Sequence, residues 1–428
     1  MRPRVQVLGI LADNGADWVA VDRAAQRSAV TLVPLPGFFT AAQLAHVVQV
    51  SRMDALFCPD TSVAQALGFS PAGIPDGMPW HRRTVARRSD SARASKITFT
   101  SGTTGAPKPV RLTAAEQWQV ARSLCKALAP LRLRRHLCLL PLAVLLENVA
   151  GLYAAEFSGA HCCVPPLAEV GVEGAIGFDA TTCLAAIERF EAQSVILLPQ
   201  MLAALTSALE AGVRVPRSLR FAAVGGARTA PALLERARRA GLPAYEGYGL
   251  SECASVVTLN HPGADRPGSV GRPLAHARVR IARDEIVVKR SRRWFATGDL
   301  GRLDADGFLY VEGRRKNVLI TSFGRNVSPE WPEAELLAGP TIAQAAVFGE
   351  ARAQLCAVLV ASSAALSDAT LDRQVDAANA RLPDYAQVRR WVRADERFTS
   401  QNGLATPNGR PRREAIWQAY AERLDALL

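Results

Sequence analysis

The chain has 428 residues, and at about 150 residues per domain this length predicts two to three domains. Its hydrophobic fraction of 49% and charged fraction of 21% are typical of a globular protein, and they exclude a disordered or collagen-like chain. The formal net charge of +12 permits an acidic partner, such as a nucleotide, a nucleic acid or a membrane surface, without requiring one.

Short apolar runs alternate along the chain with longer segments of helical spacing. The apolar runs are residues 5–11, 54–59, 194–199, 220–226 and 284–289. The helical segments are residues 17–29, 229–241 and 371–382. This alternation of strands and helices predicts an α/β fold with largely parallel sheets.

Three features predict a soluble protein of the reducing cytoplasm. The most apolar window, residues 137–155, is interrupted by Pro141, Glu147 and Asn148, and therefore predicts a buried strand and helix rather than a membrane span. The N-terminus lacks the features of a signal peptide. The eight cysteines show no C-x-x-C spacing and the six histidines are scattered, so we expect neither a zinc site nor a disulfide framework.

The arginine-rich stretch at residues 81–95 predicts a solvated connector, because no aromatic residues alternate with its charges as they would in a nucleic-acid site. The composition shifts after residues 304–317, and a section of about 110 residues follows, which is the size of a small domain. In that section we expect strands near residues 343–349 and 356–361 and a final amphipathic helix from Arg412.

The strongest local signal is the run ITFTSGTTGAPKPVRLT at residues 97–113. An apolar strand end leads there into Thr100, Ser101, Gly102, Thr103, Thr104 and Gly105. Small and hydroxyl residues around glycines let backbone N–H groups and side-chain hydroxyls approach a polyphosphate, and Lys108 adds positive charge. The run is not a Walker A loop, since G-x-x-x-x-G-K-[ST] is absent. It predicts a phosphate-binding loop of another kind.

The run T-S-G-T-T-G-x-P-K resembles the phosphate loop of the acyl-adenylate-forming superfamily, which includes acyl-CoA synthetases, luciferases and nonribosomal adenylation domains. The further motifs of that superfamily follow in its order. They are Y-G-x-[ST]-E within residues 246–252, T-G-D at 297–299, the hinge element Gly313-Arg314 with Lys316, and G-x-N-V-x-P at 324–329. The resemblance extends from about Val5 to Arg413.

The resemblance implies a large, multi-sheet α/β N-terminal domain at residues 1–314 and a small, mobile α+β C-terminal domain at residues 315–428. It also implies an acid–thiol ligase. Such an enzyme converts a carboxylate and ATP to an acyl-adenylate and pyrophosphate with Mg²⁺, and then transfers the acyl group to CoA or to the phosphopantetheine of an acyl-carrier protein. Catalysis of this kind rests mostly on positioning and charge stabilisation.

The resemblance also implies a role for each motif residue. Residues Thr100 to Gly105 would surround the β- and γ-phosphates, and Glu252 would hold Mg²⁺, a cation that prefers carboxylate and phosphate oxygens. Asp299 would bind the ribose hydroxyls, and Arg314 would contact ribose or phosphate. The catalytic residues would be Lys108, Glu252 and Arg410. The remaining nucleotide-site residues would be Gly225, Gly226 and Ala227 beside the adenine, Tyr248 stacked on it, and Glu246, Gly247, Gly249, Ser251 and Lys316.

Within the superfamily, the C-terminal third is most similar to long-chain acyl-CoA synthetases, in residues 318–333, 379–391 and 397–407. Residues 140–151 resemble the acyl-pocket segment of those enzymes. Many of them carry a histidine after the Pro-Leu pair, whereas Ala143 to Leu146 are apolar here. The apolar side chains favour a fatty or aryl acid over a charged amino acid.

The chain departs from the family pattern in two places. Arg410 occupies the position of the lysine that is expected to bridge the substrate carboxylate and the α-phosphate, and a guanidinium is a broad planar group rather than a compact ammonium. The leading segment typical of the family is missing, so the chain is either a compact variant or lacks part of the N-terminal domain. Two alternatives therefore stay open: a nucleotide-binding pseudo-enzyme or partner protein impaired by Arg410, and a ligase that transfers the acyl group to an amine or another nucleophile.

Overall fold

The computed structural model describes residues 5–72, 79–85, 94–100, 107–174, 177–290, 293–406 and 409–426. The chain divides into two compact units. One comprises Met1–Ile196 with Gly249–Val256, and the other comprises Leu197–Tyr248 with Val257–Leu428. Among the described residues, no helix has both the length and the apolar composition needed to cross a membrane.

The first unit contains short strands and six α-helices within its described residues. Its strands are β1 (Val7–Ile10), β2 (Thr31–Pro34), β3 (Ala55–Phe57), β4 (Ser70–Pro71), β5 (Trp80–Arg82), β6 (Lys96–Thr100), β7 (Lys108–Leu112), β8 (Arg135–Leu137), β9 (His161–Cys163), β10 (Val172–Glu173), β11 (Gly177–Phe178) and β12 (Ser194–Leu197). Its helices are α1 (Ala16–Arg27), α2 (Ala41–Ser51), α3 (Thr61–Ala66), α4 (Ala114–Leu128), α5 (Ala154–Ser158) and α6 (Ala180–Arg189).

Seven strands of this unit form one sheet in the order β4-β5-β3-β1-β2-β6-β7. The neighbours β3, β1, β2 and β6 pair in parallel, as βα alternation requires. The outer strands β4, β5 and β7 pair antiparallel. The α/β prediction is confirmed, and parallel pairing is limited to the centre of this sheet. The predicted connector begins within β5, and its residues 86–93 lie outside the described chain.

Helix α4 begins with a capping box that follows directly from the sequence. The Thr113 hydroxyl accepts a hydrogen bond from the Glu116 backbone N–H at 3.2 Å, and the Glu116 carboxylate accepts one from the Thr113 N–H at 2.8 Å. Residues 137–155 form the end of β8, a loop, a π-helix at Leu146–Tyr153 and the start of α5. The predicted buried strand and helix are thus confirmed, and the π-helical winding is an addition.

The second unit runs from α7 to the end of the described chain. Its helices are α7 (Pro199–Glu210), α8 (Pro231–Arg239), α9 (Glu330–Leu336), α10 (Asp368–Asn379) and α11 (Arg413–Asp425). Its strands are β13 (Phe221–Val224), β14 (Ala244–Leu250), β15 (Ser255–Leu259), β16 (Arg272–Pro273), β17 (Val279–Ala282), β18 (Glu285–Arg290), β19 (Arg293–Leu303), β20 (Leu309–Arg314), β21 (Leu319–Ile320), β22 (Asn326–Val327), β23 (Ile342–Phe348), β24 (Leu355–Ala361) and β25 (Val388–Arg393). The last two residues of β14 and the first two residues of β15 belong to the first unit.

Two strand pairings of this unit position motif residues. Strands β13 and β14 pair in parallel, with Val224 opposite Glu246. Strands β17, β18, β19 and β20 form an antiparallel meander, in which Asp299 on β19 lies opposite Arg314 on β20. Residues of three separate sequence motifs are therefore held on sheet strands rather than on free loops.

The C-terminal section forms a three-stranded sheet, β23-β24-β25, with helices on both faces. Alternate residues of β24 enter different cores, as the two-residue period of a strand requires. Leu355, Ala357 and Leu359 pack with α10, whereas Cys356, Val358 and Val360 pack with α11. The expected strands near residues 343–349 and 356–361 and the final helix are confirmed.

Candidate active site

The Asp299 carboxylate is the centre of a cluster of motif residues in the second unit. Arg314 Nε lies 2.6 Å from Asp299 Oδ1. The Tyr248 hydroxyl donates a hydrogen bond to Asp299 Oδ2 at 2.6 Å. The Y-G-x-[ST]-E element, the T-G-D motif and the hinge element thus meet at one carboxylate.

Burial and neighbouring charges act on Asp299 in opposite directions. Only 4% of the residue is exposed, and this burial raises the pKa of its carboxyl above the usual value, against the opposing effects of Arg314, Tyr248 and Arg410. Burial and the nearby Asp299 charge also raise the pKa of Tyr248, so its hydroxyl stays a hydrogen-bond donor at neutral pH. The structure supports Asp299 as a fixed acceptor.

Arg410 reaches this cluster from the C-terminal section. Its Nη2 donates a hydrogen bond to the Gly226 carbonyl at 3.0 Å. The turn that carries Arg410 is closed by two bonds with Thr406, from Thr406 N to Arg410 O at 2.8 Å and from Arg410 N to Thr406 Oγ1 at 3.0 Å. The side chain keeps contact with solvent, yet desolvation and the neighbouring Arg314 lower its pKa from the ordinary value of arginine.

Glu246 lies within β14, opposite the last residue of β13, and the glycine turn 225–226 follows β13. Glu246 is 5% exposed and accepts a hydrogen bond from Thr229 N at 3.1 Å. Burial raises the pKa of Glu246 to about 7. Gly226 has a φ of 86°, a conformation that glycine adopts without strain. Ala227 follows this turn, and Gly247 separates Glu246 from Tyr248 on β14.

The hinge element is braced by a polar network that the motif analysis did not identify. Glu330, in the first turn of α9, accepts hydrogen bonds from Asn317 Nδ2 at 2.5 Å and from Ser328 Oγ at 2.6 Å. Arg413 pairs with Glu333 at 2.5 Å. Lys316 is exposed in the one-turn helix Arg315–Asn317 between β20 and β21.

In the first unit, the phosphate-loop motif begins and ends on a strand pair. Thr100 at the end of β6 lies opposite Lys108 at the start of β7. The Lys108 side chain is exposed, and a His46 ring nitrogen lies 3.1 Å from the Pro107 carbonyl. Ser101, Gly102, Thr103, Thr104 and Gly105 lie outside the described residues, so their predicted contacts stay predictions.

Glu252 lies in a one-turn helix, Ser251–Cys253, which packs against β7 of the same unit. It is partly buried, and Gly249 lies three residues before it. A Cβ on Gly249 would lie 2.0 Å from the Ser255 carbonyl oxygen, so the close approach of the two chain segments requires glycine. The structure thus brings the Glu252 turn beside the strand that Lys108 begins.

The chain matches curated relatives over part of their length. It is 33% identical over 283 residues to a 2-succinylbenzoate–CoA ligase of Bacillus velezensis, covering 59% of this chain and 55% of the relative. It is 31% identical over 250 residues to the long-chain-fatty-acid–CoA ligase FadD15 of Mycobacterium bovis, covering 49% and 42%. In these alignments the chain spans about half the length of the curated relatives that it matches.

The fold also matches a solved structure. The o-succinylbenzoate–CoA synthetase of Bacillus subtilis in complex with AMP superposes with a TM-score of 0.74 at 25% identity, covering 96% of this chain and 87% of that chain. The predicted fold class, a multi-sheet α/β N-terminal part followed by a smaller C-terminal part, is confirmed. The family description "AMP-binding enzyme" matches residues 4–291 and "AMP-binding enzyme C-terminal domain" matches residues 316–428, and the chain therefore belongs to the AMP-binding enzyme family.

Proposed function

We propose that the chain is an acid–thiol ligase, which activates a carboxylic acid with ATP to an acyl-adenylate and then transfers the acyl group to a thiol. Family membership supports the nucleotide chemistry. The names of the relatives, 2-succinylbenzoate–CoA ligase and long-chain-fatty-acid–CoA ligase, support an aryl or fatty acid and CoA. The phosphopantetheine of an acyl-carrier protein is the alternative acceptor.

The observation that carries the proposal is the convergence of separate motifs on Asp299. A buried carboxylate fixed by Arg314 and Tyr248 is a preorganised acceptor for a pair of ribose hydroxyls. Gly226 and Ala227 follow β13, where backbone without bulky side chains leaves room for a flat adenine, and Tyr248 adds an aromatic ring. Gly225 follows β13 directly, and Glu246 and Gly247 lie beside it on β14.

Charged side chains of the first unit could bind the phosphates of ATP and the Mg²⁺ ion that accompanies them. Lys108 is an exposed cation at the end of the phosphate-loop motif, and Thr100 is the first residue of that motif. The Glu252 carboxylate is the ligand type that Mg²⁺ prefers, and Ser251 lies beside it. When bound, Mg²⁺ would neutralise charge on the phosphate oxygens. The protein's own part is to hold these groups in fixed positions, which is the main source of rate enhancement in phosphoryl and adenylyl transfer.

The domain boundary is proposed at the hinge element, with residues 1–314 as the AMP- and acyl-binding domain and residues 315–428 as the C-terminal lid domain. Lys316 lies just beyond this boundary, in an exposed one-turn helix of the type that absorbs backbone rotation. We further propose that the enzyme acts in fatty-acid or aryl-acid metabolism, since the matched names concern such acids. We propose a cytoplasmic location because the cysteine pattern of the sequence is typical of a reducing compartment.

The test is ATP–pyrophosphate exchange by the purified chain with Mg²⁺, across a panel of long-chain fatty acids, 2-succinylbenzoate, other aryl acids and amino acids. If pyrophosphate exchange occurs only with acids of one class, that class contains the substrate. Addition of CoA should then give the thioester, detected by mass spectrometry, and acyl-carrier protein or an amine replaces CoA in parallel reactions. Absence of exchange with every acid contradicts the proposal.

A second candidate is a protein that binds the nucleotide without adenylating an acid. The observation that favours it is the bond from Arg410 to the Gly226 carbonyl, because it engages part of the guanidinium with protein rather than with substrate. Calorimetric binding of ATP·Mg²⁺ without pyrophosphate exchange would support this candidate. Exchange with any acid rules it out.

A further inference from the structure

Four side chains with metal-binding atoms lie near one another in the first unit, and none of them belongs to the nucleotide-site residues named above. His136 and Cys138 come from β8 and its end, and Cys162 on β9 lies directly opposite His136. Glu147 comes from the first turn of the π-helix Leu146–Tyr153. His136, Cys138 and Glu147 are buried, and Cys162 is partly exposed at the edge of the group.

Three of these side chains, His136, Cys138 and Glu147, bring their ligand atoms close together, and Cys162 places its sulfur beside that of Cys138. The two sulfur atoms, Cys138 Sγ and Cys162 Sγ, are 3.6 Å apart. His136 Nε2 lies 2.8 Å from Glu147 Oε1, and the ligand atoms of His136, Cys138 and Glu147 all lie within 4.8 Å of one another. Zinc–ligand bonds of about 2.0–2.3 Å at tetrahedral angles space neighbouring ligand atoms roughly 3.3–3.8 Å apart. Separation of His136 from Glu147 by roughly 0.5 Å, together with movement of Cys162 Sγ toward the other three ligand atoms, would meet that geometry.

The second polar atom of His136 and that of Glu147 already have hydrogen-bond partners in the protein. His136 Nδ1 lies 3.0 Å from Ser194 Oγ, which orients the imidazole with Nε2 toward the group. Glu147 Oε2 accepts hydrogen bonds from the backbone N–H groups of Leu139 at 3.2 Å and Leu140 at 2.9 Å, and Oε1 faces His136 Nε2. Outer contacts of this kind fix the ligands of metal sites in proteins.

A glycine maintains the space around these atoms. A Cβ at Gly151 would lie 2.1 Å from Glu147 Oε1 and 2.7 Å from His136 Nε2. A larger side chain there would displace these two atoms, so glycine lets the π-helix bring its backbone against the group in its present arrangement. Eight residues of π-helix are unusual, because this winding occurs mostly as single turns and often at functional sites.

We propose that His136 Nε2, Cys138 Sγ, Glu147 Oε1 and Cys162 Sγ bind one Zn²⁺ ion as a structural site. Two thiolates with an imidazole and a carboxylate select zinc over Mg²⁺ or Ca²⁺, which prefer oxygen ligands. Four protein ligands fill the tetrahedron and leave no position for substrate, so the ion would stabilise the fold rather than act in the reaction. Binding requires both cysteines as thiolates, so their two protons are released to solvent.

This site would correct the expectation from the sequence that no zinc site exists. That expectation rested on the absence of C-x-x-C spacing, which detects ligands from a single turn. Here the ligands come from two neighbouring parallel strands and a helix, so strand register brings together residues that lie 24 positions apart.

The test uses the full chain, purified under reducing conditions, treated with a chelator and then titrated with Co²⁺ or Zn²⁺. We expect one equivalent bound per chain, and with Co²⁺ a sulfur-to-metal charge-transfer band together with the visible absorption of a tetrahedral ion. The chain offers a matched pair of variants. Cys162→Ser removes a ligand and should abolish stoichiometric binding, whereas Cys163→Ser alters the next residue of β9, on the opposite face, and should leave it intact.

Thermal unfolding provides a second readout that does not depend on activity. Zn²⁺ should raise the Tm of the wild type and of Cys163→Ser by several degrees and leave that of Cys162→Ser unchanged, since ligand binding to the folded state alone stabilises it. Far-ultraviolet circular dichroism checks that both variants fold. The proposal is overturned if the wild type binds neither ion, if Cys162→Ser binds as well as Cys163→Ser, or if the charge-transfer band is absent. A Cys138–Cys162 disulfide that persists under reduction and blocks the metal also overturns it.

Discussion

Arg314 faces Asp299 directly across the antiparallel strands β19 and β20, and its Nε lies 2.6 Å from Asp299 Oδ1. The second carboxylate oxygen accepts the Tyr248 hydroxyl at 2.6 Å. Both oxygens of one buried carboxylate are thus oriented by residues from two other motifs. A group held in this way loses little entropy when it binds a ligand, which is why we assign the ribose to it.

The first prediction concerns this carboxylate. Asp299→Asn keeps the size of the side chain but removes its charge and one acceptor. Because hydrogen bonds to charged groups contribute about 1.5–3 kcal/mol, we expect ATP and AMP to bind roughly 10- to 100-fold more weakly. Isothermal titration calorimetry with AMP measures the effect directly.

Glu312 offers a control on the same hairpin. It is exposed on β20, where its carboxylate pairs only loosely with Arg302 at 3.6 Å. Glu312→Gln should bind AMP as the wild type does. Equal AMP affinity in Asp299→Asn and Glu312→Gln would remove the ribose assignment.

The second prediction concerns Glu252. Glu252→Gln removes the proposed Mg²⁺ ligand while it keeps the shape of the side chain, so we expect pyrophosphate exchange to fall by at least about 100-fold, as for loss of one preorganised charge at a reacting phosphate. The variant should fold normally, because Glu252 is only partly buried.

The exchange assay is repeated over a range of Mg²⁺ concentrations, and Glu173→Gln, which alters an exposed carboxylate on β10, is the control. If high Mg²⁺ partly restores the Glu252→Gln rate, the carboxylate acts through the metal. If exchange by the folded Glu252→Gln protein matches the control at every concentration, Glu252 has only a local structural role.

Much of the nucleotide cluster could be predicted from the sequence, since each motif residue was identifiable by order and spacing. The meeting of Asp299, Arg314 and Tyr248 needed the structure, because strand register alone decides which motif residues touch. Glu147 illustrates the limit. In the sequence it interrupts an apolar window, whereas in the structure it is fully buried and bonded to His136. Arg413 likewise marked only the end of the family resemblance in the sequence, whereas in the structure it pairs with Glu333.

The third prediction concerns the pH dependence of stability. The pKa of Glu246 is about 7 in the folded chain, whereas the ordinary value is 4.5. Between these values the folded state holds a proton that the unfolded state has lost, so this group makes stability fall as pH rises from about 4.5 to about 7. Glu246→Gln removes this contribution, and Gln can still accept the bond from Thr229 N.

The measurement is the free energy of unfolding by urea at several pH values. The stability of Glu246→Gln relative to the wild type should increase with pH across this window, by on the order of 3 kcal/mol at most, since each pKa unit corresponds to about 1.4 kcal/mol. Glu173→Gln, at an exposed position, should follow the wild type. A difference between Glu246→Gln and the wild type that is independent of pH contradicts the prediction.

The fourth prediction concerns a fully buried lysine. Lys96 Nζ donates to Asp22 Oδ1 at 3.0 Å and to the Tyr153 hydroxyl at 2.7 Å, and it also contacts Asn148 Oδ1. Lys96→Met leaves the Asp22 carboxylate buried without its nearest cation, so we expect a loss of about 3–5 kcal/mol in the free energy of unfolding.

Lys126→Met is the control, because Lys126 is exposed in the last turn of α4 and should change stability by less than about 0.5 kcal/mol. In the double variant Asp22→Leu, Lys96→Met both charges are removed. It should be more stable than the sum of the single variants predicts, because no unpaired charge stays buried. Additive losses would show that the pair is not coupled.

The last prediction concerns Arg410, which stands where the family carries a lysine. One of its terminal nitrogens donates a hydrogen bond to the Gly226 carbonyl at 3.0 Å, and the guanidinium lies close enough to Arg314 and Asp299 to feel their charges. An ammonium has a single nitrogen and cannot hold that carbonyl and a substrate oxygen in the same planar geometry. We therefore expect Arg410→Lys to lower the rate of pyrophosphate exchange by about tenfold and Arg410→Ala to lower it further.

Separate measurement of adenylation and of thioester formation distinguishes a role of Arg410 in adenylation from a general loss of activity. Thioester formation from presynthesised acyl-adenylate should change little in Arg410→Lys, because the charge at this position is expected to act on the carboxylate and the α-phosphate during adenylation. Arg412→Lys, an exposed neighbour on the same stretch, should leave both rates unchanged. A faster exchange in Arg410→Lys would mean that arginine is a poor substitute for the family lysine. Unchanged exchange in Arg410→Ala would mean that the guanidinium serves only its bond to Gly226, and that adenylation by this chain needs no cation at that position.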